Sequence, residues 1–534
     1  MANMEAPRYT FIVSLFIIFF LLSSWLRAYI RKDRTLRAGI GPRPWPICGN
    51  LPQFLRLFRD PDKELKLLAK KYGGITKLWL GSQPVLVISK AKDAKDLLDF
   101  KGSIYSDRPS QDGFRQRVWP FRIAAVGVGP EFRRLRAINH KLLSSDKSFH
   151  FRGYQDYESI VMLQDLLDAP KDFSKHSERF SISVLFSAIF GVRLVQLDHP
   201  TITAFFEVWA EILHNFQPGT LLVDYFPILS HLPERLQPWL RRAYDLQKRE
   251  LELYGAFLAV LRAQIRAGTA PVCFAAEFLK LKENEACNDD EAIGIFGMII
   301  GAGADATTSM VQNFFKIMAM NPRAFRAAQE EIDRVVGRSR LPSWEDQSSL
   351  PYLRALIKEV HRWAPIGTLG IPHAASQEDL DLGVPKGTIV FPNIPALNRD
   401  PEVYENPDSF YPERFLGDEL DASASANQPD FRRRDHCHYG FGRRVCQGIF
   451  VAEASLYIIF ARIIWAFDIS TELGAPPLEL NDKTSGLITK PRPYSVRIDA
   501  RSDQVKECIQ AAISRANPGI LDFDSVKVSG HLTP

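Results

Sequence analysis

Tyr439-Gly440-Phe441-Gly442-Arg443-Arg444-Val445-Cys446-Gln447-Gly448 places one cysteine between two glycines. Arginines lie just upstream, and an apolar helical pattern runs from Ile449 to Phe467 just downstream. Thiolate, not thiol, ligates metals, and a helix N-terminus together with nearby arginines lowers a cysteine pKa. Gly442 and Gly448 would let the backbone fold closely around the sulfur and approach a flat group. The stretch reads as a lone thiolate held for a metal.

The run resembles the heme-binding loop of cytochrome P450 monooxygenases, F-x-x-G-x-R-x-C-x-G, with Tyr439 in place of the leading phenylalanine. Tyr439 keeps an aromatic cover for the sulfur and adds a hydroxyl that needs a partner. The resemblance implies heme b, with Cys446 as the axial ligand of its iron and Gly442, Arg444 and Gly448 around it. Such ligation pushes electron density toward O–O cleavage. A zinc site built on His436-Cys437-His438 and Cys446 is the poorer reading, because adjacent ligands point in different directions and paired spacings are missing.

A second stretch sets a long helix. Asn288-Asp289-Asp290-Glu291 offers an N-cap and early acids, Asn321-Pro322 offers a stop, and about 30 mostly apolar residues between them give a helix of ~45 Å. Three interior glycines, Gly297, Gly301 and Gly303, cost up to ~1 kcal/mol each, so they need a reason. Close approach to a flat cofactor is one, and tight helix packing is the other. Asp305, in an apolar helix, wants a partner, water or a role.

Gly301-Ala302-Gly303-Ala304-Asp305-Ala306-Thr307-Thr308 resembles the oxygen-binding helix of the same family. There, small residues precede an acid and then a threonine whose hydroxyl orders water and helps deliver protons. The resemblance implies Ala302 beside the cofactor, and Asp305 and Thr307 as catalytic members of the proton relay. Aligned on Asp305, however, the threonine position holds Ala306. Thr307 lies about 100° around the helix from it and would substitute only after a local distortion. A substrate hydroxyl or water could serve instead, or the step is not needed. A structural role for Thr307, bonding the carbonyl of Gly303, stands beside these.

Further motifs agree with the resemblance. Glu359-Val360-His361-Arg362 matches E-x-x-R, with its acid and base one turn apart, and Tyr411-Pro412-Glu413-Arg414-Phe415 contains P-E-R-F. They imply a folding triad behind the heme, with Arg414 as a bidentate partner. Phe132 to Arg136 resembles W-x-x-x-R without its tryptophan, and Ile371-Pro372-His373 resembles a strand whose histidine meets a propionate. Arg136, His373 and Arg444 are therefore the implied propionate partners. Pocket segments by family position are 105–128, 205–216, 295–302, 366–371 and 485–488.

The chain's 534 residues, 46% apolar and 24% charged, suffice for a large core and are not those of a disordered chain. A formal charge of +5, with no basic–aromatic motif, gives no sign of nucleic acid. The cysteines are few and irregularly spaced, which suits a reducing compartment. Residues 9–26 carry no charge and would reach about 27 Å as a helix, close to a bilayer core. A cleaved signal peptide is the alternative, but its apolar region is usually shorter. Arg27, Arg31, Lys32, Arg34 and Arg37 follow, which keeps the body cytosolic.

The expected organisation is a lumenal 1–8, a transmembrane anchor at 9–26, a basic and proline-rich linker at 27–46, a catalytic domain at 47–500 and a C-terminal tail at 501–534. The expected fold class is mainly α with small β-sheets, the cytochrome P450 fold, preceded by one N-terminal transmembrane helix. The hairpin expected within 75–90 turns at Gly81-Ser82, and further strands are expected around 371–394 and 484–499.

The resemblance, in tone closest to fungal microsomal members of secondary metabolism, implies insertion of one oxygen atom from O2 into a lipophilic small molecule. Electrons would come from NADPH through NADPH–cytochrome P450 reductase at the endoplasmic reticulum membrane. Arg432, Arg433, Arg434 and Arg443 would form its docking face, or simply a solvated one. A P450-fold isomerase, dehydratase or desaturase stays open on the strength of Ala306. A heme carrier without turnover is the reading from another class.

Overall fold

The computed structural model describes residues 36, 39–45, 48–59, 61–81, 83–109, 114–197, 199–217, 220–280, 288–516 and 521–522. The expected anchor lies outside them. Helices dominate: α1 (Pro130–Leu143), α2 (Arg152–Asp168), α3 (Phe173–Phe190), α4 (Pro200–Phe216), α5 (Pro238–Ala267), α6 (Asp289–Met320), α7 (Pro351–Trp363), α8 (Ile449–Ala466) and α9 (Asp503–Arg515). Proline opens α1, α4, α5 and α7, where its missing N–H costs nothing.

The strands are short. β1 (Ile75–Leu80) and β2 (Gln83–Ile88) form the expected hairpin, with Leu78 opposite Val85. β3 is Val192–Arg193, β4 His373–Ala374 and β5 Ile389–Pro392, while β6 (Phe467–Thr471), β7 (Val496–Ala500) and β8 (Leu521–Asp522) follow α8. One sheet runs β1-β2-β5-β4, with β2 and β5 parallel and its other pairs antiparallel. Antiparallel β6–β7 and parallel β3–β8 make two further pairs.

α6 begins and ends where its sequence says. The Asn288 side chain accepts the N–H of Glu291 at 2.8 Å, three acids fill the first turn, and Pro322 opens the next helix. α6 and α8 are long and apolar enough to cross a membrane, yet most of each is buried, so they are core helices. The largest core cluster draws Phe180 from α3, Phe314 and Ile317 from α6, Leu356 and Val360 from α7, and Ile459 and Phe460 from α8. Phe314 and Phe460 stack with centroids 3.9 Å apart.

Residues 501–516 are packed onto the body. Ser502 caps α9, whose Val505 and Ile509 are fully buried in that same core, and Arg501 holds Asp333 at 2.7 Å.

Candidate functional site

The cysteine loop is shaped by glycines and tied down by two helices. Gly440 and Gly442 have φ of +80° and +47°, a region disfavoured for other residues. A Cβ on Gly442 would meet the Leu98 carbonyl at 2.4 Å, so this glycine is set by packing on residues 95–100 rather than by a cofactor. A Cβ on Gly448 would have no neighbour within 4 Å. From α1, Asn139 donates to Gln447 at 2.9 Å and Arg136 donates to the Arg443 carbonyl. The Cys446 N–H donates to the Tyr439 carbonyl at 2.8 Å.

Cys446 is exposed to solvent, although protein surrounds it; it lies on the floor of an internal hollow. Burial pushes its thiol up, and the Gly448 N–H draws it part of the way back. The lowering expected from the arginines is absent, because the Arg444 guanidinium turns away. It donates to the carbonyls of Ser106, Ile123 and Val126 at 2.8, 3.1 and 2.7 Å and sits 3.9 Å over the Phe132 ring. A bound metal would deprotonate the thiol outright. The Tyr439 hydroxyl finds its partners in Glu453, to which it donates, and His361 Nε2 at 3.3 Å.

Beside the hollow, cations crowd. Arg108, which sequence reading passed over as a site residue, is buried and donates to the carbonyls of Ala124, Ile371 and Pro372. Burial first, then the charge of Arg444, pushes its pKa well down. Arg444 is pushed down to about 10 by burial, with Arg136 adding to the effect. His373 is buried, and burial followed by Arg108 holds it down at about 3. Its Nδ1 must donate to the Tyr105 carbonyl at 2.7 Å, so Nε2 becomes a donor only when the ring is charged. Asp107 is the counter-charge acting on Arg108 and Arg444. A cluster this poor in anions beside an accessible cysteine fits a flat group bearing carboxylates.

The five pocket segments meet one another. Val118, Trp119, Trp209, Phe216, Met298, Ala302, Ile371 and Leu487 form one apolar cluster. Met298, Ala302 and Ala306 follow one another at four-residue spacing along α6 and stay partly accessible. The interior glycines have the packing explanation: added Cβ atoms would strike Glu250 at 2.9 Å from Gly297, Trp209 at 2.2 Å from Gly301 and Leu185 at 2.9 Å from Gly303. Thr307 shares the stripe of Gly303, which faces α3, rather than that of Ala302 and Ala306. It makes no hydrogen bond among the described residues, so the expected bond to the Gly303 carbonyl is also missing.

Asp305 is buried and pairs with Lys490, a partner that no local pattern announced. Glu178 on α3 stands near this pair, and burial pushes its carboxyl up.

Behind the cysteine, Glu359 and Arg362 are fully buried and doubly bonded at 2.7 Å, far from the ordinary surface pair that the spacing alone would suggest. Arg414 reaches Glu359 at 3.2 Å, and Arg362 also holds the carbonyls of Asn398, Pro407 and Ser409. In the basic run, Arg432, Arg433 and Arg443 are exposed, but Arg434 is buried, with its guanidinium 4.4 Å over the Phe441 ring. It braces the loop instead of joining a surface.

The sequence matches the Cytochrome P450 family model over residues 40–498. It is 54% identical to cytochrome P450 monooxygenase polD of Polytolypa hystricis over 91% of this chain and 94% of that one. It is 33% identical to monooxygenases fogE of Aspergillus ruber, over 87% of both chains, and virE of Hypocrea virens, over 91% and 89%. An accessible cysteine with cations beside it, an apolar cluster drawn from five segments and a match over most of the chain lead to one conclusion: this protein belongs to the cytochrome P450 family, a monooxygenase whose heme iron is held by a cysteine thiolate.

Proposed function

We propose that this chain inserts one oxygen atom from O2 into a lipophilic small molecule in fungal secondary metabolism. Cys446 is the iron ligand, and the observation that carries the reading is a cysteine open to solvent although protein surrounds it, in a loop whose Arg444 lies against the cations Arg108 and Arg136. Bound there, heme supplies the oxygen activation. Arg108, Arg136 and Arg444, together with His373 once charged, hold its carboxylates; Arg444 has used three of its five N–H groups on carbonyls and keeps two. The apolar walls orient substrate and exclude water. Asp305, held by Lys490 at the flank of the site, holds and passes protons.

Electrons arrive from NADPH through a reductase that docks on Arg432, Arg433 and Arg443. Residues 9–26 anchor the protein in the endoplasmic reticulum membrane, and 27–46 space the catalytic body from it. The experiment is spectroscopic: reduced protein under carbon monoxide should show the red-shifted Soret band of a ferrous heme–thiolate. A folded, heme-loaded sample without that band would overturn the assignment.

Ala306, with Thr307 on another stripe, favours a second reading in which a rearrangement, dehydration or desaturation replaces hydroxylation. Incorporation of labelled oxygen into product decides for insertion; turnover without reductase decides for an isomerase or dehydratase.

A further inference from the structure

α8 carries one acid, Glu453, in a largely apolar helix, and an acid there needs a reason. Its carboxylate is partly buried and has two partners: the Tyr439 hydroxyl, which donates to it, and His361 Nε2 at 3.1 Å. Burial works against its charge, but the bonds from His361 and Tyr439 more than offset this. The carboxyl is held below its usual range and is ionised at neutral pH.

No lysine or arginine is bonded to it among the described residues. His361 Nδ1 has no partner there either, so a ring with its one N–H on Nε2 meets the carboxylate without adding charge. Burial, then His361, holds His436 and His438 well below the usual histidine range, so both are neutral. Lys358 is committed to Asp418 at 2.7 Å and Asp435 at 3.4 Å.

Tyr439 joins this charge to the iron ligand. Its carbonyl accepts the Cys446 N–H at 2.8 Å, while its hydroxyl donates to Glu453. Glu453 follows Cys446 by about two helical turns, or ~10 Å. Phenylalanine at position 439 would leave the carboxylate one donor short, which accounts for the tyrosine. An anion near a redox centre opposes the arrival of an electron. At ~10 Å and an effective dielectric constant of about 20, one charge changes a one-electron equilibrium roughly tenfold.

Building on the heme–thiolate reading above, we propose that Glu453, positioned by Tyr439 and His361, lowers the reduction potential of the bound heme and so restrains electron uptake. The step concerned is one electron from the reductase to ferric iron, with no bond made or broken.

Spectroelectrochemical titration of the heme-loaded full chain at neutral pH tests it. Glu453→Gln, close in shape but uncharged, should raise the midpoint by about 59 mV, a tenfold change in a one-electron equilibrium. Glu453→Asp disturbs packing more but keeps the charge, and should stay within about twofold of wild type. Tyr439→Phe/Glu453→Gln removes donor and charge together and should show the full rise, which covers poor folding of the single variant. An unmoved midpoint in the Gln variants, or equal shifts for Gln and Asp, would overturn the inference while leaving the heme–thiolate reading intact. A heme-loaded wild type without the red-shifted carbon monoxide band would overturn both.

Discussion

Cys446 sits where burial resists its ionisation, and none of the neighbouring arginine side chains offsets that. Its proton is therefore expected to leave on metal binding and not before. Cys446→Ser should abolish the red-shifted carbon monoxide band while leaving the helical circular dichroism unchanged. Tyr439→Phe restores the usual family residue yet strips a donor from partly buried Glu453. It should cost about 1–3 kcal/mol in denaturant unfolding and leave that band in place. Single residues were legible where a motif named them, as with Cys446, Arg444, Glu359 and Arg362. Lys490 and Arg108 were not, because each takes its meaning from a partner that only the folded chain brings near.

Between elements, α6 shows the same division. Asn288 and Pro322 announced its ends, but its glycines could be explained only by knowing that α3, α4 and α5 lie against it. Gly301→Ala would press a methyl into the rigid Trp209 ring, and should cost about 1–3 kcal/mol and shift the substrate-induced spin change.

Where α7 meets the cysteine loop, the rings of His361, His436 and His438 stand within 4.5 to 6.1 Å of one another, flanked by Glu453, Asp435, Lys358 and Arg434. Burial, then like-charge repulsion among the rings, pushes His436 and His438 well below the usual histidine range. Their native pKa lies below the unfolded value of about 6.5, so the unfolded chain takes up protons that the native one refuses. Stability should then fall as pH drops from about 6.5, by up to about 1.4 kcal/mol per unit for each ring. Urea midpoints between neutral and mildly acid pH check this, and His436→Phe should flatten the slope.

For the molecule as a whole, a mainly helical body with small sheets was readable from periodicity and punctuation, and the motifs appear in their expected order. Less readable were β6, hidden because its apolar residues continue the pattern of α8, and β3 and β8, too short to leave a signature. At this scale the exposed arginines matter together. Arg443→Glu should slow reduction by the reductase several-fold at low salt, with the difference fading as salt rises and the heme spectrum unchanged. Stopped-flow reduction at two ionic strengths measures it.

The pairing of β3 with β8 joins residue 192 to residue 521, and α9 completes the core from beyond the stretch that defines the family. The body therefore cannot close until residues 503–515 have left the exit tunnel, well after the heme-binding loop has been made. A chain stopped at residue 500 should mature slowly and lose its pigment on the column.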